Sequence, residues 1–295
     1  MENNKRLKVK KIVIGLFFCV AVCMALFAQS ENDFVIDEWG MIMEYNGPSG
    51  ISLVIPPVIN GRQATGIGNS VFIDMLLTGV TIPSNITTIG IEGFMGNRLN
   101  TLVIPDSVTA IGDAAFSHNW YLKSVTLPNN LTEINLGLFS FNELSSLIIP
   151  DNVSIIGQAA FYKNNLAAIV IPDSVTTIGK LAFASNQLNT VVIPDSVTYI
   201  GAGAFEFNPL TTITIGNNVT LSNEESASFH PSFDSFYTVN GKEAGTYTYA
   251  WQDGRWTTQS REKKLSFFCF SAYTFIPLFI TGAIIVSVYK RKKYV

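Results

Sequence analysis

Residues 191–205 read Val-Val-Ile-Pro-Asp-Ser-Val-Thr-Tyr-Ile-Gly-Ala-Gly-Ala-Phe, and versions of this phrase recur through the middle of the 295-residue chain. A phenylalanine ends each copy, and successive phenylalanines are 22 residues apart, with one step of 23 near Trp120. An isoleucine lies five residues before each phenylalanine, and glycine follows it everywhere except at Asn135. Self-similarity at a fixed period of this length is typical of a solenoid. The phenylalanines are Phe72, Phe94, Phe116, Phe139, Phe161, Phe183 and Phe205.

Each copy of the phrase combines a strand pattern with a turn pattern. Residues 102–104 and their equivalents have the alternation of a β-strand, and the proline that follows ends it where no further amide donor is needed. Glycine after the isoleucine permits a backbone conformation that a side chain would oppose. The residues before each phenylalanine, such as Ala114 and Ala115, favour a short helical or 3₁₀ turn. Since one unit cannot bury its apolar side alone, the units are expected to stack around a shared core.

The phrase at residues 191–205 resembles the repeats of the BspA-like leucine-rich repeat family of bacterial and protozoan surface proteins. The resemblance extends over about 170 residues, from Leu53 to Thr220. It implies a β-dominated fold of the α/β repeat class, a leucine-rich-repeat-like, right-handed parallel solenoid of about seven coils. It also implies a surface role, commonly attachment to proteins of a host or of a neighbouring cell.

The chain departs from the resembling family at one position of the repeat. Family repeats usually carry a cysteine after the phenylalanine, whereas here an asparagine stands three residues after it. We expect these asparagines to form a ladder in which their amides bond to loop carbonyls of adjacent coils. The alternative, a row that reads a ligand, requires the amides to be exposed. The asparagines are Asn97, Asn119, Asn142, Asn164, Asn186 and Asn208.

The two ends of the repeat region have different patterns from its middle. The solenoid is predicted at residues 56–220, with residues 29–55 as an N-terminal cap and a hairpin turn at Asn60-Gly61. Residues 221–260 are rich in aromatic side chains and are expected to form a small β-rich module with two short hairpins. Its strands are predicted near 235–239, 246–251 and 256–258, with turns at Asn240-Gly241 and Asp253-Gly254.

Residues 1–28 have the pattern of an export signal. A basic start precedes a long apolar stretch, and Ala28 offers a small residue for cleavage. Leu26 is larger than the cleavage pattern prefers at its position, so an uncleaved anchor is an alternative. Lipid attachment at Cys23 is a further alternative, although Val22 stands where a small residue is preferred.

Residues 265–289 contain no charged side chain and are predicted to form a C-terminal transmembrane helix. At ~1.5 Å per residue such a helix is about 37 Å long, enough to cross a hydrocarbon core of ~30 Å. Aromatic residues lie at both of its ends, as at a membrane interface. The basic flank at 261–264 and the basic tail at 290–295 carry three and four positive charges, which does not decide the orientation. Because residues 1–28 favour export, we expect a single-pass protein with its body outside and its tail in the cytoplasm. A buried core helix is the alternative.

The charges and cysteines of the chain exclude several classes of function. Residues 29–260 contain seven Lys and Arg against 20 Asp and Glu, a net charge of −13. Nucleic acid is therefore not an expected partner, because neutralising phosphates requires a basic surface. Cys19, Cys23 and Cys269 all lie in the two apolar segments, so residues 29–260 offer no disulfide scaffold, cysteine zinc site or thiol nucleophile.

No motif indicates an enzyme, a cofactor or a metal site. His118 and His230 lie in different parts of the chain, outside any metal-binding spacing. Four aspartates follow the repeat prolines, but one carboxylate per coil does not supply the clustered oxygens of a calcium loop, and hydrogen bonding in turns explains them better. These aspartates are Asp106, Asp151, Asp173 and Asp195.

A candidate partner-binding face remains on the predicted strands. If Leu102 and Ile104 point inward, alternation points Thr101 and Val103 outward, and twelve such positions carry no charge although the body is acidic. An uncharged stripe that contains β-branched residues is a candidate partner-binding face, because sizeable exposed apolar patches usually mark interfaces. The alternative to a binding face is a sheet surface that has no partner, or one that the terminal caps cover. The twelve residues are Thr101, Val103, Ser124, Thr126, Ser146, Ile148, Ala168, Val170, Thr190, Val192, Thr212 and Thr214.

Two classes of function are compatible with these features. The first is an exported, membrane-anchored protein that binds a host or envelope protein through its solenoid face. The second is a structural spacer of the cell envelope that has no specific ligand. Glycan binding by the aromatic rings of residues 221–260 is a further alternative, against a module that only caps the solenoid.

Overall fold

The computed structural model describes residues 29–217, 219–222, 227–250 and 254–259. The predicted export signal at 1–28, the basic flank at 261–264, the transmembrane segment at 265–289 and the tail at 290–295 lie outside these residues. None of the helices within the described ranges has the length and apolar character needed to cross a membrane.

The described residues form mainly short strands, most of them in two sets, together with two short helices. A 3₁₀ helix, η1, spans Glu31–Asp33, and an α-helix, α1, spans Pro231–Val239. The strands in the described residues are β1 (Phe34–Ile36), β2 (Met41–Tyr45), β3 (Ser52–Val54), β4 (Val58–Ile59), β5 (Arg62–Gln63), β6 (Gly66–Ile67), β7 (Gly79–Thr81), β8 (Thr88–Ile89), β9 (Thr101–Val103), β10 (Ala110–Ile111), β11 (Ser124–Thr126), β12 (Glu133–Ile134), β13 (Ile155–Ile156), β14 (Thr177–Ile178), β15 (Thr190–Val192), β16 (Tyr199–Ile200), β17 (Thr212–Ile215), β18 (Thr220–Leu221), β19 (Gly245–Ala250) and β20 (Arg255–Gln259).

The first set of strands, the isoleucine ladder, places one buried isoleucine of each coil above the next. Parallel pairing joins β2, β6, β8 and β10 in one block and β12, β13, β14, β16 and β18 in a second. Ile156, for example, pairs with Ile134 on one side and Ile178 on the other. The solenoid has about eight turns rather than the seven predicted, because β2 inside the predicted cap 29–55 already occupies the isoleucine position of a turn.

The second set of strands carries the outward positions of the candidate face. It consists of the parallel pairs β3 with β7 and β9 with β11, followed by β15 with β17. Strands β19 and β20 then extend this last sheet in the antiparallel direction. Residues 146–148 and 168–170, which fill the equivalent positions of two middle coils, are not paired as strands.

The core of the solenoid is a column of phenylalanine rings. The seven repeat phenylalanines are fully buried, and neighbouring rings stack with centroids 4.9–5.9 Å apart. Phe34 and Tyr45 continue the column at its N-terminal end, and Phe229 continues it at the other, 4.8 Å from Phe205. Each terminal ring covers apolar surface that an open coil would expose to water.

The predicted helical turn before each phenylalanine is instead a pair of tight turns. In one coil Ala114 and His118 both have left-handed backbone angles, with φ of 53° and 58°. The amides of Ala115 and Ser117 donate to carbonyls three residues earlier, while the Phe94 amide donates to the Ala115 carbonyl of the next coil at 2.8 Å. Left-handed residues interrupt a right-handed helix, so alternate residues bond across coils in place of forming a helical turn.

The predicted asparagine ladder is confirmed. Asn164 Nδ2 donates to the carbonyls of Phe139 and Phe161 at 2.8 and 3.2 Å, and its Oδ1 accepts the Leu144 amide at 3.0 Å. Five of the six asparagines are buried, so these bonds satisfy loop groups that water does not reach. In the other five asparagines Oδ1 accepts the backbone amide of a leucine, whereas Asn142 Oδ1 accepts the backbone amide of Asn119.

The repeat glycines have a different role from the one expected. Gly157, Gly179 and Gly201 do not have left-handed backbone angles, so the expectation of an unusual conformation is wrong. A Cβ on Gly201 would lie 2.4 Å from the amide nitrogen of Lys180, and one on Gly179 would lie 2.6 Å from that of Gln158. Glycine is therefore required because adjacent coils approach too closely for a side chain.

The hairpin predicted at Asn60-Gly61 is confirmed, whereas the one at Asn240-Gly241 is wrong. Strands β4 and β5 pair across Asn60 and Gly61, both of which have positive φ. Residues 235–239, predicted as a strand, lie in helix α1, which has His230 as its N-cap. The helix ends before Gly241. The Gly241 amide donates to the Thr238 carbonyl, and the Lys242 amide donates to the Tyr237 carbonyl.

The physical reason for the helix is visible in the spacing of its apolar residues. Phe233, Phe236 and Tyr237 follow an i, i+3, i+4 pattern, and the Phe233 and Tyr237 side chains are fully buried. Tyr237 also donates its hydroxyl to the Gly216 carbonyl at 2.8 Å, which fixes the helix against the last coil. The second predicted hairpin is present as β19 and β20.

Candidate binding surfaces

The strand face, the twelve outward positions named above, is largely open to water. Ten of the twelve side chains are exposed, and Ile148 and Val170 keep 86% and 79% of their surface in water. Thr212 and Thr214 are half-buried because β19 pairs with β17, and Thr214 Oγ1 lies 2.9 Å from Thr246 Oγ1. The open part of the face therefore ends before β17.

The middle of the strand face lacks hydrogen bonds between coils. Within the described segments 146–149 and 168–171, no backbone group bonds to the neighbouring coil. Water can satisfy these exposed groups, so the interruption does not carry the penalty of a buried unpaired amide. A partner can meet both apolar side chains and unused backbone donors and acceptors in this region.

A shallow groove crosses the face beside this interruption. It has a volume of about 420 Å³, and its walls include Val170, Val192 and Pro194, with Asp173 and Asp195 among its lining residues. These carboxylates belong to the exposed row that follows the repeat prolines. In another coil Asp106 accepts the backbone amide of Asn129 across coils at 2.8 Å, so one member of the row contributes to coil stacking.

A second surface feature, the aromatic cluster, consists of His118, Trp120, Phe141, Tyr162 and Lys163. The His118 and Phe141 rings stack 4.4 Å apart at 16°, and Lys163 Nζ lies 4.9 Å from the Phe141 centroid. Trp120 meets the His118 and Phe141 rings at 78° and 68°, at 5.5 Å from each. Tyr162 contacts Phe141 edge-on at 5.3 Å.

A hydrogen bond with the Ser117 hydroxyl holds the His118 ring in place, and the surroundings of the ring favour its neutral form. Ser117 Oγ lies 2.7 Å from His118 Nδ1 and 2.8 Å from Ser140 Oγ. Burial lowers the pKa of His118, and the nearby Asp74 carboxylate offsets part of this effect. A neutral imidazole stacks on Phe141 without the cost of removing a charge from water.

Reading the sequence by its periods missed this cluster, although the sequence contains the signal for it. His118, Phe141 and Lys163 occupy the left-handed position two residues after successive repeat phenylalanines. The residue types at this position differ from coil to coil, so they do not stand out as a repeat. The 23-residue step near Trp120 supplies the extra aromatic side chain.

The aromatic side chains of the C-terminal module are mostly part of the core. Phe233, Tyr237, Tyr247 and Trp256 are buried, and Phe233 stacks on Tyr237 at 14° while it meets Tyr247 and Trp256 at 80° and 69°. Trp256 also lines a cavity of about 230 Å³. Trp251 lies outside the described residues.

The structure does not bring the two histidines together. His230 caps helix α1, and its ring nitrogen Nδ1 accepts the Ser232 amide. His118 belongs to the aromatic cluster. Within the described ranges, no group of three or more His, Cys, Asp and Glu residues could hold a metal ion.

Stacked parallel coils with one buried phenylalanine, isoleucine and asparagine per turn define a β-dominated repeat solenoid. The model of the BspA-type leucine-rich repeat region matches six copies over residues 58–166 and 154–248, well over half of the chain. The chain therefore belongs to the BspA-type leucine-rich repeat family. This is a family of protein-interaction repeats rather than of enzymes.

Solved structures of bacterial leucine-rich repeat proteins are similar to this chain. A leucine-rich cell surface protein from Faecalibacterium prausnitzii A2-165 is 26% identical with a TM-score of 0.56, and the match covers 76% of this chain and 57% of that one. A leucine-rich repeat protein from Bacteroides ovatus is 23% identical with a TM-score of 0.48, covering 65% and 63%. This chain thus spans less than two thirds of either protein. No curated protein matches it in sequence.

Proposed function

We propose that this chain is an exported surface protein, held in a membrane by one span, that binds a protein partner through the strand face. The observation that carries the proposal is the exposure of Ile148, Val170 and Val192 on a face without charged outward residues, in a body with a net charge of −13. Family membership adds support, since leucine-rich repeat proteins generally bind proteins. The similar protein from Faecalibacterium is described as a cell surface protein.

The location rests on the sequence of the two ends. The pattern of residues 1–28 favours export, and the uncharged stretch 265–289 favours a single span with the solenoid outside the cytoplasm. Protease treatment of intact cells tests this directly. We expect digestion of the solenoid while an epitope tag fused after Val295 stays protected. Digestion of the tag, or a solenoid that resists until the cells are lysed, would contradict the proposed topology.

The binding face is tested by charge substitution. A triple variant with Ile148→Lys, Val170→Lys and Val192→Lys places three charges on exposed positions, so its free energy of unfolding should stay within about 0.5 kcal/mol per site of the wild type. Binding is measured by surface plasmon resonance of the full chain against purified extracellular-matrix proteins and envelope proteins of the source cell. A partner that binds the wild type should lose at least about 100-fold in affinity, since buried charge without a partner is costly.

The matched control places the same number of charges elsewhere. Ile91→Lys, Leu136→Lys and Gln158→Lys change exposed residues one position after the repeat glycine or, for Leu136, after the Asn135 that replaces it. Another coil already has Lys180 at this position. This variant should bind as the wild type does. Equal binding by both triple variants would show that the partner uses a different surface, and no binding of any tested protein by the wild type would favour the spacer function.

A further inference from the structure

The aromatic cluster lies where the repeat departs from its pattern, and core packing does not require the departure. The extra residue falls at Trp120 and Tyr121, yet Leu122 after it is as fully buried as Leu99 and Leu144 in the neighbouring coils. The phenylalanine rings on either side stay stacked, with centroids 5.7 Å apart at 6°. The insertion of one residue therefore leaves the core unchanged, and two large side chains lie on the surface where the other coils have one residue.

Both side chains are exposed, and ring contacts fix the direction of the Trp120 indole. Trp120 and Tyr121 keep 53% and 55% of their surface in water. Contacts at steep angles with His118 and Phe141 hold the Trp120 indole, and the stack of His118 on Phe141 is in turn covered by Lys163. An aromatic ring that is already immobilised loses little conformational entropy when a ligand stacks on it.

Charged residues occupy the equivalent position in the coils on either side of the exposed rings. Arg98 and Glu143 take the position of Trp120 in the coils before and after it, and the Glu143 amide bonds to the Leu122 carbonyl, which confirms that these coils are neighbours. Lys163 adds a third charged group, one coil further along. The site thus combines apolar ring faces with positively and negatively charged side chains in the same and neighbouring coils. These side chains can donate or accept hydrogen bonds.

This combination matches the chemistry of a pyranose sugar. A gluco-configured ring has apolar C–H faces that stack on aromatic rings, and a rim of equatorial hydroxyls that both donate and accept hydrogen bonds. A pyranose unit is also comparable in length to the spacing of successive coils, 5.3–5.9 Å between the ring centroids of this region. Successive sugars of an extended chain can therefore meet successive coils.

We propose that the aromatic cluster, together with Tyr121, is a binding site for a neutral, β-1,4-linked oligosaccharide of gluco-configured sugars. The cluster extends over only a few coils, whereas a stable protein interface buries about 800 Å² on each partner. The strand face offers the larger continuous surface for a protein. The saccharide site is independent of the proposed function, because it uses none of the twelve residues of the strand face.

Titration calorimetry of the full chain with cellopentaose and with chitopentaose tests the proposal. We expect at least one of them to bind, and Trp120→Ala to lower its affinity by about tenfold or more through loss of the stacking surface. The matched control is Trp39→Ala, which removes a tryptophan that is 75% exposed at the other end of the solenoid. This control should bind as the wild type does. Maltopentaose, which is α-linked and curved, should bind more weakly than either β-linked probe.

Several outcomes would overturn the saccharide site. Absence of heat with both β-linked probes at millimolar concentration would exclude it, as would equal losses in Trp120→Ala and Trp39→Ala. If Trp120→Ala weakens capture of a purified protein while neither saccharide binds, the cluster is a protein-binding site and the proposal is wrong. The Ile148→Lys, Val170→Lys, Val192→Lys variant should keep saccharide binding, so the two surfaces can fail separately.

Discussion

The coils around residues 133–201 and the junction around residues 111–135 solve the same stacking problem in different ways. In the regular coils, a glycine after each isoleucine lets the backbones approach, and strands β12, β13, β14 and β16 pair without interruption. At the junction Asn135 stands in place of glycine, and β10 and β12 are not paired. The Asn135 side chain instead donates from Nδ2 to the Ile111 carbonyl at 2.6 Å.

The phenylalanine column and the asparagine ladder are continuous in both regions, whereas the pairing of the isoleucine strands is interrupted at the junction. Ile111 and Ile134 stay buried across the junction, and the phenylalanine column and asparagine ladder pass through it without a gap. The ring column and the amide ladder therefore hold the coils together where the isoleucine ladder is broken. The inserted aromatic side chains lie at this same junction, so the surface chemistry has changed where the isoleucine ladder is interrupted.

The largest effect is expected from breaking the ring column, which both regions share. Phe161→Ala removes a fully buried ring stacked between Phe139 and Phe183 and should destabilise the solenoid by about 3–5 kcal/mol. Urea unfolding followed by circular dichroism measures the change. Phe207→Ala is the control, because this ring is mostly exposed and its removal should change stability by less than about 0.5 kcal/mol. Similar losses in both variants would show that the column is not what holds the coils.

The amide ladder is the next largest contributor in the regular coils. Asn164→Ala leaves the Leu144 amide and the Phe139 and Phe161 carbonyls without this partner in a buried site. We expect a loss of about 2–4 kcal/mol, since each buried group left unpaired costs roughly 1–3 kcal/mol. Asn165→Ala changes the neighbouring exposed asparagine and should be nearly neutral in the same unfolding experiment. A neutral Asn164→Ala would mean that water replaces the amide.

How far the sequence predicted the molecule depends on whether a feature repeats. Asn164 was assigned to a structural ladder because its position recurs, and the bonds confirm it. Asn240-Gly241 occurs only once and predicts a hairpin turn, but the helical spacing of Phe233, Phe236 and Tyr237 decides the structure and gives helix α1. The repeat period of the sequence does not give the distance between the backbones of adjacent coils. It therefore cannot show that a side chain at Gly201 would collide with the backbone of Lys180.

The candidate surfaces also differ in whether a repeating pattern predicts them. Alternation along the strands correctly placed Val103, Ile148 and Val170 outward, but it could not show that β19 covers Thr212 and Thr214. That cover comes from a non-repeating segment. The aromatic cluster depends on left-handed positions in adjacent coils, which bring side chains from three repeats together.

A matched pair of substitutions at one repeat position sharpens the comparison of the two regions. Gly179→Ala would place a Cβ 2.6 Å from the Gln158 amide nitrogen, so we expect a destabilisation of about 1–3 kcal/mol. Asn135→Gly at the junction exchanges a side-chain hydrogen bond for closer backbone approach and should change stability by less than about 1 kcal/mol. Both are measured by urea unfolding. Equal destabilisation by the two variants would show that the junction is packed as tightly as the regular coils.

The smallest effect is expected from protonation at the junction. Burial lowers the pKa of His118 below its ordinary value of 6.5, so the unfolded chain binds a proton more readily than the folded one. The contribution of His118 to stability is therefore complete above pH 6.5 and is lost as the pH falls through its folded pKa. His118→Gln should show a smaller fall in Tm than the wild type between pH 7.5 and 5.5. Asp74→Asn should steepen the fall, because the Asp74 carboxylate raises the pKa of His118. An unchanged pH profile in both variants would mean that His118 titrates alike in the folded and unfolded chains, and that the ring stack does not depend on its neutral form.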